Sequence, residues 1–113
     1  MSPDVTPDPL PTVDPRDAGG HLLLDVRELH EWTAGHAPGA VHLPLSQLQA
    51  RLAQVPVGQP VDVVCHLGGR SAQATAFLRG HGVDARNVTG GMDAWERLGL
   101  PLEADGGATP RIV

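Results

Sequence analysis

Val63-Val64-Cys65-His66-Leu67-Gly68-Gly69-Arg70-Ser71 is an apolar run that ends at the chain's only cysteine, then passes through two glycines toward a helical segment. Valine-rich runs of this kind suit a strand buried on both faces. The glycines admit backbone conformations closed to other residues and let successive peptide N–H groups converge. A helix start beyond them adds unpaired N–H groups and the positive end of a dipole. Strand, tight turn and helix start together predict a concave anion site around the sulfur of Cys65, with Arg70 adding a permanent positive charge. An ordinary thiol, with a pKa of about 8.5, is only a few per cent ionised at pH 7. Making such a group mostly thiolate takes about 2.7 kcal/mol, and a helix terminus supplies roughly 0.3–1 kcal/mol of it. Loop N–H groups and Arg70 must supply the rest. Cys65 is therefore read as a nucleophile, against the plainer alternative of a small buried hydrophobe at a strand end.

Outward from this loop the chain alternates between two kinds of segment. Leu22-Leu23-Leu24-Asp25-Val26, Val41-His42-Leu43, Val61-Asp62-Val63-Val64-Cys65 and residues 85–88 are candidate strands. Leu45, Leu48, Leu52 and Val55 recur at offsets of three, four and three and predict one helical face, with Gln47, Gln49 and Arg51 outward. Residues 71–79 predict a helix stopped by Gly80, and residues 92–98 a short one stopped by Gly99 with Pro101 beyond. Strand and helix in alternation predict an α/β domain with a parallel sheet. Ligands of such sheets sit at the carboxyl ends of the strands, which is where Cys65 falls.

Length and composition set the bounds. At 113 residues the chain fits one domain. Residues 1–9, rich in proline and aspartate, read as a flexible lead, residues 10–103 as the domain and residues 104–113 as a flexible tail. The net charge is −5, every cation is a scattered arginine, and there is one Phe and no Tyr, so nucleic-acid binding lacks both a basic stripe and stacking aromatics. No apolar stretch approaches the roughly 18 residues of a membrane span, and the N-terminus shows no basic and apolar regions of a signal peptide. A cytoplasmic location is the expectation, and a lone cysteine excludes an intrachain disulfide framework. Nothing in the sequence demands more than a monomer. His21, His30, His42 and His81 have no metal-ligand spacing, so neither metal nor cofactor is expected.

The Cys65 loop resembles the C-x-x-G-x-R-S signature of single-domain rhodanese-like sulfurtransferases. Three further segments match that family in order: Leu24-Asp25-Val26-Arg27-Glu28 with Glu31-Trp32, then Gly35-His36-Ala37-Pro38-Gly39-Ala40, and Gly90-Gly91-Met92-Asp93-Ala94-Trp95 leading to Gly99-Leu100-Pro101-Leu102. The match spans residues 12–103. It implies a five-stranded parallel sheet flanked by helices on both faces, with an added strand near residues 10–13 that periodicity alone does not reveal. It also implies sulfur transfer through a Cys65 persulfide, from a small donor such as thiosulfate to cyanide, a cellular thiol or a thiol-carrying protein.

On this reading His66, Leu67, Gly68, Gly69, Arg70 and Ser71 form the substrate-binding loop. Arg70 either steadies the donor anion or orients the loop from below. His66 points outward at the mouth, and Ser71 caps the helix or, less favoured, bonds the sulfur. Asp25 and Arg27 secure the framework beside the loop. His36 is read as structural, and Trp32 and Trp95 as packing residues. Two rivals remain. Phosphatases and arsenate reductases also use a thiolate in an N–H-lined loop, but they place Arg six positions after the nucleophile and Arg70 lies five after Cys65. A non-enzymatic binding module is the other.

Overall fold

The computed structural model describes residues 9–113. The reading of residues 1–9 as a flexible lead falls, apart from Pro9, outside the described residues. Five strands form one sheet: β1 (Thr12–Val13), β2 (Leu22–Asp25), β3 (Val41–His42), β4 (Pro60–Val64) and β5 (Asp84–Val88). Their order is β1-β5-β4-β2-β3, every pair parallel. The α-helices are α1 (Leu29–Ala34), α2 (Gly69–Gly80) and α3 (Gly91–Arg97).

The Val-rich run is the central strand, which explains why it needed two apolar faces. Side chains alternate across a sheet. Val61 and Val63 therefore join Leu24, Leu43, Ala74 and Leu78 in one core, while Val64 joins Val13, Leu23, Val88, Met92 and Trp95 in the other. The first core lies beneath α2. The second lies beneath α3 and a 3-10 helix at Pro15–Gly20, which Asp14 begins by accepting the Arg16 N–H on its side chain. Asp62 is the exception in β4. It is fully buried, and Arg86, its register partner on β5, meets it at 2.8 Å. Burial pushes its carboxyl up, and Arg86 opposes that shift.

Two expectations are corrected. The segment from Leu45 to Val55 is not one helix but two 3-10 turns, Leu45–Gln47 and Leu52–Gln54. Pro44 and Pro56 bound it, and a stretch so short gains little from α-helical propagation. Spacings of three serve a 3-10 turn equally well, and Leu48 and Val55 still reach the core. Residues 104–113 do not hang free: Arg111 N–H donates to Ala34 O at 2.9 Å and Ile112 packs on the second core. A side chain at Gly35 would strike the Arg111 backbone, so the glycine is what lets this segment lie there. Helix α1, which no apolar period announced, starts where Glu31 folds back to accept the Glu28 N–H at 3.0 Å.

Just past β2, Arg27 and Asp25 form a fully buried ion pair at 2.8 Å. Arg27 also donates to Gly35 O at 2.7 Å, tying the strand end to the chain after α1. Removing one partner of such a pair leaves a buried charge alone. Arg27→Met is expected to lose about 3–5 kcal/mol of unfolding free energy in urea titration; a loss below about 1 kcal/mol would show that the pair does not hold this corner.

Candidate active site

Chain direction places the site. Strand β4 delivers Cys65 to its carboxyl end, between the ends of β2 and β5, and α2 begins four residues later. Gly68 takes φ +121°, a value side chains rarely allow, and this turns its N–H inward to donate to Cys65 Sγ at 3.1 Å. It also stands as N-cap of α2, so the N–H groups of Gly69, Arg70 and Ser71 begin the helix without intrahelical partners. The Ser71 hydroxyl lies 3.2 Å from the same sulfur.

The back of the loop is held as firmly as the front. Met92 N–H donates to Cys65 O at 2.8 Å and Asp93 N–H to His66 O at 3.0 Å, both from the first turn of α3. Gly91, at φ +59°, makes this crossing possible, since a Cβ there would collide with the carbonyls of Cys65 and His66. Those bonds hold the loop from the side of α3, and the one loop N–H that donates to the sulfur is that of Gly68.

Each expected site residue has a definite place. Cys65 is 1% exposed, His66 and Gly68 are half-buried, and Leu67 stands 67% exposed at the rim. Gly69 is exposed and opens α2. Arg70 does not reach toward an open anion site: its guanidinium makes a two-pronged pair with Glu31, at 2.6 and 2.9 Å. Of the two roles offered for it, this geometry is that of a loop anchor. Ser71 sits three residues inside α2 and caps nothing; its hydroxyl is spent on Sγ and on Asn87 Oδ1, the latter at 2.6 Å. The favoured capping role is thus corrected to the sulfur contact. Asp25 and Arg27 flank the site without touching the sulfur, because Asp25 is the register neighbour of Val64. His36 stacks on Trp32 with ring centroids 3.7 Å apart and gives the Trp32 carbonyl a bond of 2.7 Å.

Three residues around the site carried no role in the sequence reading: Glu31, Asn87 and Gly91. Glu31 and Gly91 lie inside segments quoted for their family resemblance, so they were visible as motif but not as function. Asn87 offered no signal.

The geometry is that of a known family. The sequence profile of the rhodanese-like domain matches residues 12–98, and the chain belongs to that family. A protein named "Sulfurtransferase" from Allochromatium vinosum is 38% identical over 87 residues, covering 76% of this chain and 81% of that one. The crystal structure of a rhodanese-related protein from Thermoplasma volcanium superposes with a TM-score of 0.78 at 28% identity, covering 81% of this chain and 96% of that one. A structure titled "Probable Thiosulfate Sulfurtransferase" gives 0.70 at 38% identity, covering 81% of this chain but only 47% of its own. Among other matched structures the chain covers as little as 16% of the longer molecule. The five-stranded parallel sheet with flanking helices is the fold of these neighbours. Among the described residues, no helix is long and apolar enough to cross a membrane.

The Arg70 pair also makes a pH-dependent strut. Hydrogen bonds from Arg70 hold the Glu31 carboxyl at about 2, against an ordinary 4.5, although burial pulls the other way. A carboxyl depressed by folding stabilises fully above its unfolded value and loses that contribution as pH falls toward its folded one. Unfolding free energy should therefore fall more steeply between pH 4.5 and pH 2 in wild type than in Glu31→Gln. Parallel curves in acid titrations of stability would remove the strut.

Proposed function

We propose that the protein is a sulfurtransferase that carries sulfane sulfur on Cys65. The observation that carries this reading is the pair of donors on one sulfur: the Gly68 N–H at 3.1 Å and the Ser71 hydroxyl at 3.2 Å, over the start of α2. Such donors favour a charged sulfur over a neutral one. In the first step the Cys65 thiolate attacks the outer sulfur of a donor such as thiosulfate. A new S–S bond forms, the donor's own S–S bond breaks, and sulfite leaves with its electron pair. In the second step an acceptor nucleophile, cyanide or a thiolate, takes the terminal sulfur, and the Cys65 thiolate is regenerated with the bonding electrons. This is covalent catalysis with the charged intermediate held by preorganised dipoles, and neither step calls for a metal or cofactor. Within these 113 residues no second cysteine stands ready to resolve the persulfide, so the acceptor is a separate molecule or a thiol-carrying protein.

One observation favours a second reading. Cys65 is 1% exposed, as an inert structural thiol would be, and a rhodanese-like domain that only binds a partner would tolerate that. Sulfur transfer requires the rim at Leu67, Gly68 and Gly69 to admit the donor. The phosphatase rival fares worse, because Arg70 is committed to Glu31 and is not free to clasp a phosphate.

Thiocyanate production from thiosulfate and cyanide separates these readings. Wild type is expected to turn over, and Cys65→Ser to lose activity by at least about a thousandfold. No thiocyanate from thiosulfate, polysulfide or glutathione persulfide would leave the binding module. Hydrolysis of p-nitrophenyl phosphate that vanishes in Cys65→Ser would instead establish a phosphatase.

A further inference from the structure

The Ser71 hydroxyl has one hydrogen and two neighbours that want it. Cys65 Sγ lies 3.2 Å away and Asn87 Oδ1 only 2.6 Å. The orientation of the Asn87 amide is fixed from its other end, where Nδ2 donates to Gly68 O at 3.2 Å. Turning the amide over would set Oδ1 against that carbonyl, two acceptors with no hydrogen between them.

The two protonation states of the sulfur therefore use the hydroxyl differently. With a neutral thiol the chain is complete: S–H donates to Ser71 Oγ, and Ser71 O–H donates to Asn87 Oδ1. Once the proton leaves for solvent, the thiolate accepts from Ser71 and Asn87 Oδ1 loses its only short bond. We infer that Asn87 is a positioning residue that competes with the Cys65 sulfur for the Ser71 hydroxyl and so holds back ionisation of the thiol. The inference rests on Cys65 being the working thiol of the proposed sulfurtransferase, and it assigns the strand β5 a part in setting the pH range over which that thiol is armed.

At the carboxyl end of the sheet, the charged and titratable groups around the sulfur include Arg70 of α2 with its partner Glu31 of α1 and the nearby Glu28, the Asp25 and Arg27 pair after β2, Asp93 of α3, and His66 in the loop, while Asp62 and Arg86 pair with each other further down β4 and β5. None of these groups is a side-chain hydrogen-bond partner of Asn87, whose side chain bonds Ser71 and Gly68. Gly68 O also keeps a partner, since Ala72 N–H donates to it at 3.0 Å. Asn87 is only half-buried, so an apolar side chain is tolerable there.

The ultraviolet absorbance of the thiolate, followed against pH, reads the effect directly, because the chain has one cysteine and no tyrosine to obscure it. In Asn87→Leu the midpoint is expected to move to lower pH by roughly half to one unit, the difference between a hydroxyl contested and one free to serve an anion. In a Ser71→Ala background the same substitution should move it by nothing, a result that a merely structural role would not produce. A midpoint unchanged or raised in Asn87→Leu, or an equal fall without Ser71, would overturn the inference. Asn87→Val, suited to a strand, serves if the leucine variant does not fold. The titration needs no sulfur donor, so it stands or falls separately from the transfer assay.

Discussion

The Cys65 loop depends on one backbone crossing. The first turn of α3 gives its Met92 and Asp93 N–H groups to the carbonyls of Cys65 and His66, and Gly91 brings the two chains close enough for it. These bonds fix the backbone of Cys65 and His66, from which the chain runs on to Gly68 and its N–H on the sulfur. Helices α2 and α3 cover the two cores on opposite faces of the same sheet. Both begin at its carboxyl edge, one cupping the sulfur and the other bracing the loop from behind.

Charge is then arranged so that the Gly68 N–H and the Ser71 hydroxyl, rather than a free cation, face the Cys65 sulfur. Arg70 is matched by Glu31, and Arg27 by Asp25, so the permanent positive charges near Cys65 are each spoken for. What remains to stabilise an anion on the sulfur is neutral: the Gly68 N–H, the Ser71 hydroxyl and the unpartnered first turn of α2. Of the two roles open to Arg70 in the sequence, this geometry is that of orienting the loop rather than steadying an anion. It also fits a chain with a net charge of −5, which offers small anions no long-range attraction.

Much of this was legible in the sequence, and the parts that were not share a cause. The buried central strand, the turn through Gly68 and Gly69 and the start of α2 are local features, written in apolar runs and glycines. The added strand β1 is two residues long and was reached only by resemblance. The partner of Arg70 lies 39 residues away, and Asn87 lies 16 residues from Ser71. Such contacts are made by the folded sheet and leave no period behind. The amphipathic spacing from Leu45 to Val55 marked the buried residues correctly but not the backbone, because 3-10 turns present the same face at these offsets.

We propose that Cys65 holds a transferable sulfur beside the Gly68 N–H and the Ser71 hydroxyl. Intact mass after incubation with thiosulfate, with no acceptor present, tests it most directly. A gain of one sulfur atom on wild type, absent in Cys65→Ser and discharged by cyanide, is the predicted result. An unchanged mass with thiosulfate and with polysulfide alike would contradict it.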